Sequence, residues 1–215
     1  MCNLVTLSAS TDEVASHFKA RRPKATNVAT GEVYPGAQGF VVREDAGERI
    51  MQAMAWGFPV RLKTMKPTSK PKPVNNARDD KLMSFWRPWF TKPAQRCLIP
   101  FTSFAEAEGE KGKMTRTWIS VADQPLAAWA GLWRPTDEWG DCYTGVMVDA
   151  TEELWHIHDR MPVILRPEDH DAWLHAPTEE AMKLVAKYPA ALLQVRATDE
   201  PWIKKKSAPE APTLI

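Results

Sequence analysis

Short runs of β-branched, aromatic and other apolar residues recur along this chain, separated by links that are mostly only a few residues long. Parallel strands need a crossover of a dozen or more residues between them, so links this short favour antiparallel pairing. Strands are expected at residues 39–43 and 49–56, joined by the turn-like Glu44-Asp45-Ala46-Gly47, which makes an antiparallel hairpin. Further strands are expected at 96–99, 117–121, 126–133, 143–148, 162–165 and 192–196.

Helices are fewer. Ser10-Thr11-Asp12-Glu13 has the form of a capping box, with Val14 and Phe18 following at helical spacing, so a first helix should run to about Lys19. A short helix is expected over 79–86, where Pro88 ends or restarts it, and others over 167–174, with Pro167 at the first helical position, and 178–187. The reading is an α+β chain dominated by antiparallel sheet.

Composition matters here for what it excludes. A hydrophobic fraction of 44% with 26% charged residues fits a soluble globule, and apolar runs such as 125–133 are too short to span a bilayer. We expect one domain over 1–197 and a flexible tail over 198–215, which holds Lys204-Lys205-Lys206 and three prolines. No signal-peptide pattern follows Met1, so the cytoplasm is the expected compartment. Cys2, Cys97 and Cys142 are odd in number and lack Cys-x-x-Cys spacing, which suggests neither a disulfide framework nor a thiolate zinc site. His156 and His158 would point to opposite faces of a strand, so no metal and no cofactor are expected.

The net charge of +1 gives no global reason to bind nucleic acid, but the charge is unevenly placed. Between Phe58 and Arg78 stand Arg61, Lys63, Lys66, Lys70, Lys72 and Arg78 with no acidic residue, interleaved with Pro59, Pro67, Pro71 and Pro73. An extended loop is expected, either simply solvated or tracking phosphates. Of the ten tryptophans, Trp118, Trp129 and Trp133 on apolar strands read as core, whereas Trp56, beside Gly57 at the mouth of the basic loop, is a candidate stacking residue.

Cys2 follows the initiator methionine directly. Removal of Met1 would leave an amine and a thiol on one residue, a reagent specific for aldehydes. The amine, with a reference pKa of roughly 7.7 to 8.0, condenses to an imine, and the thiol closes a five-membered thiazolidine on it.

Three further segments accompany it: Val74-Asn75-Asn76-Ala77-Arg78, Cys97-Leu98-Ile99-Pro100-Phe101-Thr102-Ser103-Phe104-Ala105-Glu106, and His158-Asp159-Arg160-Met161-Pro162-Val163-Ile164-Leu165. Together with Met1-Cys2 and the Trp56-Gly57 pair they resemble the SOS-response-associated peptidase (SRAP) family in order and approximate spacing. The resemblance implies an α+β fold with a mainly antiparallel, barrel-like sheet core and peripheral helices. It also implies covalent sensing and shielding of abasic sites in single-stranded DNA, with autopeptidase release of Met1 and lyase-like chemistry.

Carried over by position, the resemblance makes Cys2 the nucleophile and adds Asn76, Glu106 and His158 as catalytic residues; Asn75 is read as a neighbour without a role. Glu106 in a desolvated pocket would exchange protons, His158 would help open the sugar, and Asn76 would position the amine or sugar hydroxyls. Arg78 and Arg160 would meet phosphate oxygens, although either can pair instead with Asp79, Asp80 or Asp159. The same resemblance raises Trp56, Lys63 and Lys66 to DNA contacts, and implies a monomer in the cytoplasm, nucleoid-associated when bound to DNA.

The chain departs from the commonest family pattern where it starts Met-Cys-Asn-Leu rather than Met-Cys-Gly-Arg, and where Ala105 and Ala107 flank Glu106 in place of Tyr and Trp. Those departures bear on substrate preference. A peptidase or amidohydrolase using Cys2 without DNA is the alternative from another class, and a non-catalytic nucleic-acid-binding protein is a third.

Overall fold

The computed structural model describes residues 2–22, 27–61, 64–66, 68–122 and 124–203. The chain begins with β1 (Val5–Leu7), α1 (Thr11–His17), β2 (Gly31–Val33), β3 (Gln38–Asp45) and β4 (Glu48–Trp56). Then come β5 (Phe58–Val60), β6 (Lys72–Val74) and β7 (Asn76–Arg78), a 3-10 turn at Asp79–Lys81, and α2 (Arg87–Phe90). The central run is β8 (Arg96–Phe101), β9 (Ser103–Glu108), β10 (Thr115–Val121), β11 (Ala127–Thr136) and β12 (Gly140–Asp149). A second 3-10 turn, Glu152–Leu154, leads to β13 (Arg160–Pro162), β14 (Ile164–Leu165), α3 (His170–His175), α4 (Thr178–Lys183) and β15 (Leu193–Pro201).

The fold is α+β and mostly antiparallel. β12 pairs with β4, β4 with β3, β3 with β8, β8 with β11, and β11 again with β12, so the strands close into a barrel. Only the β12–β4 and β12–β7 pairings among the named strands are parallel. Closure buries both ends of the hydrophobic pattern: Trp56, Met51, Phe101 and Trp129 are all within 2% of complete burial. A second sheet, ordered β15-β10-β9-β1-β2, packs beside the barrel and carries the N-terminal strand.

Local chemistry explains several of these elements. Ser10 caps α1 through its side chain and Glu13 returns the bond to the Ser10 backbone, completing the expected capping box. Between β3 and β4 the chain reverses at Ala46 and Gly47, whose φ values of 51° and 85° suit a tight hairpin turn. At Gly145, a β-carbon would overlap the ring of Trp129, so only glycine lets that tryptophan pack across β12. Arg96, 1% exposed, donates to the carbonyl oxygens of Phe90, Trp173 and Ala176 and thereby satisfies groups at the ends of α2 and α3.

Five sequence expectations change. The helix over 79–86 is replaced by the 3-10 turn, and α-helix appears only at Arg87–Phe90, where Pro88 fits the first turn. The expected 167–174 helix begins as a 3-10 turn at Pro167–Asp169, and α4 stops at Lys183 instead of 187. The basic loop is not wholly loop: its ends pair as β5 and β6, with Pro59 opposite Pro73. The coil expected from Thr198 is strand as far as Pro201, because β15 pairs along β10 up to Thr115.

Candidate active site

The second sheet carries Cys2 to Glu106. Val5 pairs with Phe104 and Thr6 with Ser103, and the Leu4 carbonyl accepts from Ala105 N at 2.9 Å. Continuing that register sets Asn3 opposite Glu106, with Cys2 one residue beyond. From the barrel side, Gly145 of β12 pairs with Asn76 of β7, and Gly145 N donates to the Asn75 carbonyl at 3.1 Å.

Two amides meet the Cys2 backbone. Asn75 Nδ2 and Asn76 Nδ2 each donate to the Cys2 carbonyl oxygen at 3.0 Å. Asn75 Nδ2 also donates to Asn3 Oδ1 at 3.1 Å. Consecutive residues of one strand face opposite ways, but Asn75 lies in the break between β6 and β7, so both side chains can reach the same oxygen. Among the described residues, Asn76 Oδ1 is buried with no hydrogen-bond partner.

Cys2 has no exposed surface, and burial, followed by the nearby Glu106 charge, pushes its thiol well above the ordinary range. Its Sγ points to the Leu4 carbonyl at 3.8 Å. Glu106 is 4% exposed, and burial raises its carboxyl to about 7, with Asp159 adding to the effect. Its protonated form is therefore favoured far above the usual carboxylate range.

Glu106 and His158 share the lining of a narrow cavity of about 10 Å³ with Phe104, Ile119, Leu154 and Ile157. That is near the smallest volume that holds one water. His158 sits in the connection between β12 and β13, which is closed by the bond from Ala150 N to the Asp159 carbonyl at 2.9 Å. Burial lowers the His158 pKa, so the ring is neutral at pH 7. Its Nδ1 accepts from Arg160 N at 2.9 Å, which assigns the proton to Nε2 even though Asp159 Oδ1 is 2.8 Å from Nδ1. A neutral ring cannot bond both groups through Nδ1, and the Arg160 backbone N–H can only donate.

The structure thus brings Cys2, Asn76 and Glu106 together and sets His158 on the same cavity as Glu106. Trp56 requires a correction as a stacking residue. It is fully buried, its ring lies parallel to Tyr143 with centroids 6.2 Å apart, and its Nε1 donates to the Asn75 carbonyl at 3.0 Å. It supports the site from behind.

Arg78 pairs with Asp80 at 3.0 Å, while Arg160 is bound to Asp79 at 2.7 Å and Asp149 at 3.2 Å. Lys66 is exposed, and Lys63 lies outside the described residues. Asn75, which sequence reasoning set aside, also holds the Cys2 carbonyl; the Asn-Asn doublet was its only signal. Among the described residues, no three His, Cys, Asp or Glu side chains are grouped as ligands of one metal ion.

A barrel flanked by a sheet that brings an N-terminal cysteine against an Asn-Ala-Arg strand and a buried glutamate defines a class, and comparison identifies it. The family model "SOS response associated peptidase (SRAP)" matches residues 1–200, and the chain belongs to that family. The abasic site processing protein YoqW of Bacillus subtilis is 29% identical over 189 residues, covering 81% of this chain and 80% of the relative. The abasic site processing protein HMCES of Xenopus tropicalis is 28% identical over 170 residues, covering 66% of this chain and 50% of the relative. A crystal structure of a Bordetella bronchiseptica protein is 27% identical with a TM-score of 0.76, covering 92% of this chain and 99% of that one. A Bacteroides thetaiotaomicron protein at 19% identity has the same fold, with a TM-score of 0.76 over 91% of each chain.

Proposed function

We propose that this protein processes abasic sites in single-stranded DNA by covalent capture, acting as a monomer through Cys2 once Met1 is released. The observation that carries the reading is the environment of Cys2: a backbone held by two amides beside a carboxyl poised at about pH 7. Relatives named for abasic site processing point to the same substrate.

The steps follow from the residues present. Hydrolysis of the bond between Met1 and Cys2 consumes one water and leaves an amine on Cys2. That amine adds to the aldehyde of the ring-opened deoxyribose, and loss of one water gives the imine. The thiol then adds to the imine carbon, its proton passes to nitrogen, and the thiazolidine closes. Because burial holds the thiol protonated, a base must remove its proton during attack, and Glu106, whose charge acts on that thiol, suits the role. His158, whose Nδ1 accepts from the Arg160 backbone and whose ring lines the same cavity as Glu106, suits proton donation to the sugar oxygen as the ring opens. The unpartnered Asn76 Oδ1 suits acceptance from the amine or a sugar hydroxyl. Addition of water to the imine would reverse the capture, whereas loss of a C2′ proton from the imine with departure of the 3′-phosphate would be the lyase-like arm of the same chemistry.

Intact mass and denaturing electrophoresis after incubation with an abasic single strand test the reading, with an undamaged strand as control. Processed protein should gain one oligonucleotide in a heat-stable adduct. Cys2→Ser and Cys2→Ala should give at most a labile adduct that needs borohydride trapping. A heat-stable adduct from Cys2→Ala, or from protein that retains Met1, would overturn it.

A further inference from the structure

Two large apolar side chains stand in water just downstream of the Asn-Ala-Arg strand. Leu82 and Trp86 are buried, whereas Met83 and Phe85 between them are 52% and 55% exposed. The projection is built in: Ser84 N and Trp86 N both donate to the Lys81 carbonyl, at 3.2 and 3.0 Å, which turns the segment outward on a fixed base. Phe85 is braced edge-on against Trp86 at 4.9 Å, and Trp86 in turn against Phe58 of β5 at 5.5 Å. Its ring is therefore held in place while more than half of its surface faces solvent.

The electrostatic setting selects the occupant. Phe58 belongs to the β5–β6 ribbon, whose connecting segment carries the exposed residues Arg61, Lys66 and Lys70, with exposed Lys72 on β6. Arg87, two residues after Phe85, is exposed, as are Arg78 and Lys81, which pair with Asp80. The acids in this segment, Asp79 and Asp80, are already paired with Arg160, Arg78 and Lys81. A second exposed aromatic, Trp155 at 55%, gives the contrast: it is flanked by exposed Glu152, Glu153 and Asp159, a setting that repels phosphates.

We infer that Phe85, with Met83 beside it, is a stacking platform for unpaired bases of a single strand whose phosphates follow the basic ribbon. An aromatic face set among cations suits single-stranded nucleic acid, because stacking accepts any base while the cations hold the backbone. The inference rests on the proposed capture of abasic DNA and assigns the nucleotides that flank the lesion. Phe85 lies nine positions after Asn76, at most roughly 30 Å of extended chain and less with the intervening turn. The platform is thus within reach of nucleotides beside a sugar held at Cys2.

The test is equilibrium binding of undamaged and abasic single strands, together with crosslinking at saturating DNA. Phe85→Ala should weaken binding of both strands roughly tenfold, within the range for loss of one stacked base, and leave the crosslinking rate at saturation unchanged. Phe85→Trp should bind like the parent. Phe85→Ile keeps apolar bulk without a ring face and should bind like Phe85→Ala, which separates stacking from packing. Shortening the strand on one side of the lesion should erase the difference between parent and Phe85→Ala. Parental affinity in Phe85→Ala or Phe85→Ile would overturn the platform while leaving the capture reading intact. Absence of any crosslink from the processed parent would instead remove the capture reading.

Discussion

Asn75 Nδ2 stands 3.0 Å from the Cys2 carbonyl oxygen, sharing that acceptor with Asn76 Nδ2, also at 3.0 Å. The carbonyl is thus fixed by two donors, one of them also tied to Asn3. Asn75→Ala removes one donor and the Asn3 contact but leaves the acceptor satisfied, so a stability loss of about 1 kcal/mol is expected. The larger effect should fall on orientation of Cys2: roughly tenfold slower single-turnover crosslinking at saturating DNA with unchanged DNA affinity. Asn75→Ala combined with Asn76→Ala should cost more than the sum of the two, since the carbonyl is then unpaired. Strict additivity in rate would separate the two amides.

Glu106 makes the fold less stable as pH rises. Its folded pKa of about 7 lies above the ordinary value of 4.5, so between these values the folded state holds a proton that the unfolded chain has lost. Stability contributed by the protonated form is full below about 4.5 and is lost as pH passes through 7. Denaturant titrations of Glu106→Gln should show that this decline is gone, with the variant gaining at most about 3 kcal/mol on its parent above neutrality. Its crosslinking rate should also lose the inflection near pH 7. A parental pH–rate profile in Glu106→Gln would assign the inflection to another group.

His170 acts in the opposite sense. Burial, with Arg49 and His17 adding, lowers it from 6.5 to about 4, so the unfolded chain binds a proton across that window while the folded state does not. Stability from neutral His170 is full above about 6.5 and lost as pH falls toward 4. The two windows overlap and act in opposite senses, so each contribution is read as the difference between the parent and the variant that lacks the group. His170→Phe, which keeps a ring beside Phe18, should make the fold more resistant to acid between pH 6.5 and 4. An unchanged acid midpoint would place the sensitivity elsewhere.

How far the sequence reached depended on length of pattern. The strands β8, β10, β11 and β12 were legible because each spreads apolar residues over six or more positions, whereas β9, Ser103–Glu108, was not among the expected strands. Strands of three residues, such as Val5–Leu7, Gly31–Val33 and Asn76–Arg78, are too short for any period to appear. Prolines misled at the basic segment: Pro59 and Pro73 argued for loop, yet a two-stranded ribbon with free edges tolerates them. The residue types at the site came from a family resemblance, since nothing in local spacing links Cys2 to Asn76, Glu106 and His158. Asn75 escaped because its role depends on a break between strands that no local pattern announces.

Trp56 now carries a different expectation from that of a surface wedge. Trp56→Phe retains the ring against Tyr143 but removes the indole N–H from the Asn75 carbonyl, which keeps only the bond from Gly145 N. A loss of about 1 kcal/mol in stability and slower crosslinking at saturating DNA are expected, with DNA affinity unchanged. Thermal unfolding and single-turnover kinetics check this. A loss confined to DNA affinity would return Trp56 to the DNA surface and contradict its burial.

Lys66 and Arg160 should separate phosphate contact from architecture. Lys66 is exposed beside the β5–β6 ribbon, so its contribution to a bound strand is one neutralised phosphate. Lys66→Ala should reduce the magnitude of the slope of log affinity against log salt by roughly 0.7, without altering crosslinking at saturation. Arg160, with its side chain 14% exposed, is spent on Asp79 and Asp149. Its removal leaves Asp79, 35% exposed, and Asp149, 54% exposed, without that partner, and frees the β12–β13 end that carries His158. Arg160→Ala should therefore lower stability and slow crosslinking while changing the salt slope less than Lys66→Ala does. Salt titrations of both variants under identical conditions decide it: a larger slope change in Arg160→Ala would mean that Arg160 leaves its two aspartates to bind phosphate when DNA arrives.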